Sequence, residues 1–188
     1  WHILNELVCF DMGVMRFSEL LRKEIATHYK EYEVHIYGDP AGDFRSQTDE
    51  RTPFQIMRTY GLKAIPAPSN DVALRIEAVD STLARLVDGS PGFNMSTDCI
   101  NLKKGFNGGY HYRRLQVSGD RYDEKPLKNR YSHVHDALQY LMMGAGEGRT
   151  MMSGKIQTQP TVAKKQWDVF QKPGVSKRKV WDIFKRNG

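Results

Sequence analysis

The feature that most constrains this chain is the alternation of strand-like and helix-like segments between residues 1 and 143. Short apolar segments at residues 1–10, 34–37, 62–66 and 93–95 have the composition and length of β-strands. Segments with apolar residues at helical spacing lie between them, at residues 17–32, 53–61, 70–89 and 96–104. The alternation predicts an α/β layer fold.

Several helix ends carry recognisable signals. Thr52 followed by Pro53 predicts a helix start, with threonine as the N-cap and proline at the first position. Asn70 is expected to cap the longest helix, and Gly89 to end it. The buried stripe of that helix is predicted to be Val72, Ile76, Val79, Leu83, Leu86 and Val87.

A β-hairpin is predicted downstream of Gly105–Gly109, which forms a corner. The segment Tyr110–Val117 alternates like a strand, and Ser118-Gly119-Asp120 is expected to turn it back on itself. The chain therefore carries an added hairpin beside its α/β core.

The composition changes after Met143, where a glycine-rich linker, Gly144–Gly148, begins. We expect a folded domain over residues 1–145 and a basic, largely flexible C-terminal tail over residues 146–188. The tail repeats Trp167-Asp168-Val169-Phe170 as Trp181-Asp182-Ile183-Phe184. These repeats suit either short docking motifs or the covering of an apolar patch on the domain.

The net charge of +6 is unevenly distributed. Residues 149–188 hold ten Lys or Arg and two Asp, and residues 103–130 hold eight basic residues against three acidic ones. A polyanionic partner would be attracted to both regions. A merely solvated basic surface is the alternative for either.

Other function classes are disfavoured. No apolar segment approaches the twenty residues of a membrane span, and no signal peptide is expected at the N-terminus. Cys9 and Cys99 lack metal-ligand spacing and form no disulfide framework, so reduced thiols are expected. No phosphate-binding loop of the Gly-x-x-x-x-Gly-Lys-Ser/Thr type occurs, which excludes an ATP-driven motor of that class.

Two carboxylates lie where chemistry is expected. Asp39 follows a predicted strand, and Asp136 lies in the predicted first turn of a helix capped by Ser132, where the helix dipole favours negative charge. Gly38 and Gly42 would leave room for a ligand beside Asp39. One carboxylate at a strand end and one at a helix start can share a divalent cation. Each also has a structural alternative, an Asx turn for Asp39 and a helix start for Asp136.

Four segments, in this order, resemble the nuclease domain of the large terminase subunit of tailed bacteriophages. They are Gly38-Asp39-Pro40-Ala41-Gly42, Thr48-Asp49-Glu50-Arg51-Thr52-Pro53-Phe54, Gly108-Gly109-Tyr110-His111-Tyr112, and Lys128-Asn129-Arg130-Tyr131-Ser132-His133 continuing into Asp136-Ala137-Leu138. The resemblance covers about residues 1–145. It implies a ribonuclease-H-like mixed sheet flanked by helices.

The resemblance also implies an activity: a metal-dependent endonuclease that cuts double-stranded concatemeric DNA with little sequence preference during genome packaging. Its cofactor would be two Mg²⁺ or Mn²⁺ ions held by three acidic residues, of which Asp39 matches the second and Asp136 the third. Its partners would be the terminase ATPase domain, the small terminase subunit and the portal protein. It would act in the cytoplasm of the infected bacterial host.

One departure from the family pattern is expected. The strand that carries the first acidic residue is missing here, because the chain opens on the strand just before the first helix. Asp11 and Glu6 are weak substitutes. A catalytically incomplete module that holds DNA or docks on the portal is therefore the alternative function, and a resolvase- or transposase-like nuclease is a third.

Further residues are candidates for contact with DNA. The basic residues around the hairpin, interleaved with Tyr110 and Tyr112, are expected to neutralise phosphates. They are Lys103, Lys104, Arg113, Arg114 and Lys128. His133 shares a helix face with Asp136, so it is expected either to orient that carboxylate or contact a phosphate, or simply to cap or pack.

Overall fold

The structure, a computed structural model, describes residues 1–44, 51–116 and 121–148. These residues form a mixed α/β arrangement, as the alternation predicts. The helices are α1 (Val14–His28), α2 (Pro53–Thr59), α3 (Val72–Leu83), α4 (Ile100–Lys104) and α5 (Ser132–Gly144). The strands are β1 (His2–Ile3), β2 (Ile36–Gly38), β3 (Ala64–Pro66), β4 (Leu86–Val87), β5 (Ser90–Pro91), β6 (Asn94–Met95), β7 (Tyr112–Arg114) and β8 (Tyr122–Pro126).

The described strands pair two by two, whereas one mixed sheet is expected from the resemblance. β1 pairs with β6 and β2 with β3, both in parallel, while β4–β5 and β7–β8 are antiparallel. The strand predicted over residues 1–10 is reduced to His2–Ile3. The chain leaves its ladder there because Glu6 turns to accept hydrogen bonds from the start of α4.

The start of α2 agrees with its prediction. The Thr52 hydroxyl accepts from the Gln55 amide, and the Gln55 side chain accepts from the Thr52 amide. This reciprocal pair is a capping box, with Pro53 at the first helical position. Gly61 follows the helix at φ 79°, in the left-handed region that glycine adopts readily.

The prediction for α3 was wrong at both ends. Asp71, rather than Asn70, caps it by accepting from the Leu74 amide. The helix ends at Leu83, and Asp88 and Gly89 form the turn of the β4–β5 hairpin with φ of 50° and 77°. A two-residue Asp-Gly turn with both φ values positive matches the twist of a hairpin. Among the described helices, α1 rather than α3 is the longest.

The buried face of α3 is also rotated from the predicted stripe. Its buried residues are Arg75, Ala78, Val79 and Thr82, which follow the spacing i, i+3, i+4 and i+7. Leu83, Leu86 and Val87 are exposed. A charged residue, Arg75, therefore takes a core-facing position that the predicted stripe did not include.

Two apolar clusters hold the described residues together. The larger joins α3, α4 and α5 and includes Ala78, Val79, Cys99, Leu102, Leu138, Met142 and Met143. The smaller joins α2 and β3 through Phe54, Met57, Leu62 and Ala64, with Leu21 and Ile25 of α1 packed against it. Burial of these side chains supplies the main driving force for folding.

Helix α5 packs against β2, and this contact brings distant parts of the chain together. Gly144 lies on the ring of Tyr37, so close that a Cβ there would be 2.2 Å from Tyr37 Cγ. Only glycine allows such an approach of a helix backbone to an aromatic ring. This contact places the end of β2 beside α5.

Residues that follow α5 turn back towards α3. The Glu147 carboxylate receives two hydrogen bonds from the Arg85 guanidinium, at 2.9 and 2.6 Å. No helix among the described residues is both long and apolar enough to cross a membrane. The predicted turn Ser118–Asp120 and the expectations for the tail from residue 149 onward, including the two Trp-Asp repeats, lie outside the described residues.

Candidate active site

A cavity of about 270 Å³ opens between the end of β2, α3, α5 and the β8 side of the hairpin. Both predicted metal ligands, Asp39 and Asp136, line it. So do three cationic side chains, two tyrosines and an asparagine. The residues in these groups are Arg75, Lys125, Lys128, Tyr110, Tyr140 and Asn70.

Asp39 stands directly after β2, at the head of a short 3-10 turn, Pro40–Asp43. Its Oδ1 accepts a hydrogen bond from the Ala41 amide at 2.9 Å, so the Asx turn weighed as the alternative is present. The glycines on either side, Gly38 and Gly42, pack against Phe54. A Cβ at Gly38 or Gly42 would lie 3.0 or 3.2 Å from the Phe54 ring.

Asp136 lies one residue further into α5 than predicted, because Ser132 is the first residue of the helix rather than its N-cap. The helix starts at Ser132, and the first turn contains no acidic residue. Asn129 serves the helix start instead, since its Oδ1 accepts from the Tyr131 and Ser132 amides at 2.8 and 3.2 Å. The helix dipole is therefore not what compensates the Asp136 charge, because its influence fades beyond the first turn.

Two cations compensate Asp136. Arg75 Nη1 donates to Asp136 Oδ1 at 3.2 Å, and Lys128 Nζ donates to Asp136 Oδ2. The Asp136 side chain is 14% exposed, and the nearby positive charges offset the cost of burying this carboxylate. α3 supplies one of these charges and the segment before α5 supplies the other.

Arg75 is the most constrained charge in the cavity. Its side chain is 5% exposed, and its guanidinium carbon lies 4.5 Å from the centre of the Tyr140 ring. This stacking is a cation–π contact. Arg75 Nε has no hydrogen-bond partner among the described residues although it is buried. A buried donor without a partner is costly.

Tyr140 connects the two carboxylates. Its hydroxyl donates to Asn70 Oδ1 at 2.6 Å. Burial, followed by the neighbouring Asp39 carboxylate, raises the pKa of Tyr140 well above its ordinary value, and Asp136 adds to the rise. One phenol therefore lies within the electrostatic influence of both Asp39 and Asp136, which keeps it protonated and a hydrogen-bond donor.

Tyr110 forms a further wall of the cavity. Its ring stacks on His135 with a centroid distance of 4.8 Å, and its hydroxyl accepts from Gln139 at 2.9 Å. Burial raises the pKa of Tyr110 and lowers the pKa of His135, so both side chains are held in their neutral forms.

The oxygen donors in the cavity include those of two carboxylates, Asp39 and Asp136. Mg²⁺ is commonly held by one or two carboxylates while it keeps several waters. Asp39 and Asp136 would provide such a pair, with Asn70 nearby. No group of three or more His, Cys, Asp or Glu side chains in metal-binding proximity occurs in the described residues. A cation at Asp136 would have to share or replace the contact with Lys128.

The other predicted site residues are dispersed. His133 is exposed and does not line the cavity, and the groups bonded to Asp136 are Arg75 and Lys128 instead. Lys103 and Lys104 are exposed on α4. On β7, Arg114 is exposed, and Arg113 pairs with Asp123 at 3.0 Å. Lys128 is the predicted DNA-binding residue that lines the cavity.

The two substitutes considered for the first acidic residue lie outside the cavity lining. Glu6 accepts from the Asn101 and Leu102 amides at 2.6 and 2.9 Å, which gives it a structural role at the start of α4. Asp11 occupies the loop before α1 with φ 52°.

Sequence reasoning missed Arg75, Tyr140, Asn70 and Lys125. A signal existed for Arg75, since it shares the spacing i, i+3, i+4, i+7 with Ala78, Val79 and Thr82. A charged residue on the apolar face of a helix requires a buried partner, and Asp136 is that partner. Tyr140 shares a face with Asp136, four residues earlier in α5.

Comparison of the chain with known proteins returned no matching family model, no matching curated protein and no matching solved structure. The candidate function therefore rests on the cavity itself and on the segments that resemble the terminase nuclease.

Proposed function

We propose that this chain is a metal-dependent endodeoxyribonuclease domain with a ribonuclease-H-like fold, of the kind found in viral DNA-packaging terminases. The observation that carries the proposal is the presence of Asp39 and Asp136 in one cavity, together with three cationic side chains. Carboxylates hold a hard cation, and cations hold the phosphates of the substrate. A metal-dependent hydrolysis of a phosphodiester uses both.

Each cavity residue has a role in this proposal. Asp39 and Asp136 would hold Mg²⁺ or Mn²⁺, which when bound supplies Lewis acidity to the scissile phosphate. Arg75 holds the Asp136 carboxylate through Nη1. Lys125 and Lys128 neutralise flanking phosphates. The neutral Tyr140 orients Asn70 and lies beside Asp39.

The proposed substrate is double-stranded DNA, bound with little sequence preference. The exposed basic residues of α4 and the hairpin contact phosphates, which carry no sequence information. Portal protein, small terminase subunit and ATPase domain are proposed partners, and the cytoplasm of the infected bacterium is the proposed location. These four proposals rest on the resemblance rather than on contacts within the cavity.

Plasmid cleavage in Mn²⁺ or Mg²⁺ tests the nuclease. Asp39→Asn and Asp136→Asn should each lower the cleavage rate by about 100-fold or more, since metal-ion stabilisation of the transition state is worth several kcal/mol. Asp80→Asn, an exposed carboxylate on α3 outside the cavity lining, is the matched control and should cut like the parent. Unchanged cleavage by both cavity variants would refute the assignment.

A second function, a non-catalytic module that holds DNA or docks on the portal, is favoured by one observation. Asp136 already contacts two cations, and Asp39 is the other carboxylate that lines the cavity. Such a module would bind DNA or portal without metal-dependent cleavage, and deletion of residues 149–188 would abolish that binding. Retained binding after the deletion, or cleavage by the parent chain, would exclude it.

A further inference from the structure

The two cations bound to Asp136 differ sharply in how easily they can leave. The Arg75 side chain is 5% exposed and stacks on Tyr140. The Lys128 side chain is 67% exposed and comes from the segment between β8 and α5. An exposed ion pair is weak because water replaces it readily, whereas the loss of a buried cation leaves its partner as an uncompensated buried charge.

The two cations also hold different oxygens of Asp136. Arg75 binds Oδ1 and Lys128 binds Oδ2. Loss of Lys128 from Oδ2 would leave the carboxylate oriented by Arg75, with one oxygen facing the cavity. That oxygen is the one through which a divalent cation can bind without disturbing α3.

Charge balance explains why Lys128 and a divalent cation cannot both remain at Asp136 Oδ2. The cavity lining carries three cationic side chains and two carboxylates. A divalent cation at Asp136 Oδ2 would stand at the position of the Lys128 ammonium, and like charges at that distance repel strongly. A displaced Lys128 at the cavity mouth would find its nearest favourable counterion in a DNA phosphate.

We propose that Lys128 is an exchangeable counterion, which holds Asp136 Oδ2 until a divalent cation competes for that oxygen and then turns to a DNA phosphate. This inference rests on the proposed metal site and adds its regulation. Lys128 would couple metal binding to DNA binding, so that each favours the other, as linked equilibria must. It is a positioning and coupling residue and does not touch the reacting atoms in this scheme.

Calorimetric titration of Mn²⁺ into the full chain tests the competition. Lys128→Gln should bind Mn²⁺ about fivefold more tightly than the parent, the scale of an exposed ion pair. Lys128→Arg, which keeps the charge, should stay within about twofold of the parent. Lys125→Gln is the matched control, because it removes a charge from the same cavity lining but no contact to Asp136. It should tighten binding by less than about twofold.

DNA binding supplies an independent readout. In EDTA, Lys128→Gln should bind duplex DNA as the parent does, because Lys128 is engaged by Asp136. In Ca²⁺, a hard cation with the same preference for oxygen ligands, the slope of log affinity against log salt should be shallower by about 0.9 for Lys128→Gln, which corresponds to one lost phosphate contact.

The outcomes separate this inference from the proposed function. Equal Mn²⁺ affinity in the parent and Lys128→Gln, with binding lost in Asp136→Asn, would overturn the exchange while the metal site stands. Mn²⁺ binding that Asp136→Asn leaves unchanged would overturn both. A loss of DNA affinity in Lys128→Gln that is the same in EDTA and Ca²⁺ would make Lys128 a permanent phosphate contact and overturn the coupling.

Discussion

Two arginine–aspartate pairs with nearly the same geometry occupy very different places in this molecule. In the cavity wall, Arg75 and Asp136 are 3.2 Å apart with side chains 5% and 14% exposed. On the hairpin, Arg113 and Asp123 are 3.0 Å apart with side chains 62% and 42% exposed. The two pairs differ in burial rather than in distance. Burial determines how much the free energy of unfolding falls when one partner is removed.

The comparison shows how one chain separates structural charges from charges that can serve a ligand. α3 and α5 pack against each other through Arg75, Asp136 and Tyr140, so the charge of the cavity is part of the fold. The hairpin pair adds little to stability and remains accessible to an external polyanion.

Removal of the buried cation should have the largest effect on stability. Arg75→Ala should lower the free energy of unfolding by about 3 kcal/mol, because it leaves the buried Asp136 carboxylate with Lys128 alone and removes the contact with Tyr140. Urea denaturation followed by circular dichroism measures this change.

A double-mutant cycle with Asp136→Asn identifies the cause. If the pair accounts for the loss, Arg75→Ala should cost at least about 1 kcal/mol less in the Asp136→Asn background than in the parent. Additive effects would show that Arg75 acts by packing alone and would break the comparison with the hairpin.

A substitution at the contact between α5 and β2 should have the next largest effect on stability. Gly144→Ala should lower the free energy of unfolding by about 2 kcal/mol, because the new methyl group would meet the Tyr37 ring at 2.2 Å. Alanine is otherwise the better helix former, so any loss must come from this contact.

The same substitution should weaken Mn²⁺ binding, since it separates the elements that carry Asp39 and Asp136. Gly13→Ala is the control, because nothing lies within 4 Å of a Cβ at Gly13. It should change stability by only about 0.5 kcal/mol. A stable Gly144→Ala variant with normal Mn²⁺ affinity would contradict the proposed placement of the carboxylates.

A pH dependence should follow from His135, on the buried side of α5. Burial lowers the pKa of His135 against the opposing influences of the Leu102 carbonyl, Asp136 and Glu6. The unfolded chain therefore binds a proton more readily, so the stabilisation is complete above a pH of about 6.5 and is lost as the pH falls below it. Between pH 7 and pH 5 the free energy of unfolding should fall by about 1 kcal/mol.

Chemical denaturation at several pH values measures how the free energy of unfolding changes with pH. His135→Gln should make this dependence weaker between pH 7 and pH 5. His133→Gln, at an exposed position on the same helix, should leave it as in the parent. A steep slope that survives in His135→Gln would assign the dependence to another group.

Local signals in the sequence predicted much of the fold. The α/β class, the capping box at Thr52 and the existence of α1, α2, α5 and the hairpin strands are present in the structure. These features depend on neighbours within a few residues, which is the range that periodicity and capping signals cover. The extents of the short strands were predicted less well, since the strand expected over residues 1–10 covers only His2–Ile3, because strand pairing depends on distant segments.

The candidate site was predicted only in part, for a related reason. Asp39 and Asp136 were found because each follows a recognisable local boundary. Arg75 was assigned no role because its interaction with Asp136 links two helices far apart in the sequence. The Asp88-Gly89 hairpin, in contrast, carried a local turn signal that an overextended α3 obscured.

The exposed pair should give the smallest change in stability and the clearest change in DNA binding. Arg113→Gln should alter the free energy of unfolding by less than about 0.5 kcal/mol, since water solvates Asp123 when the arginine is gone. The slope of log affinity against log salt for duplex DNA should become shallower by about 0.9, which corresponds to one lost phosphate contact. Asp123→Asn, which frees Arg113 from its partner, should strengthen binding with similarly little effect on stability. A loss of stability above about 1 kcal/mol in Arg113→Gln would mean that the hairpin charges are as structural as those of the cavity.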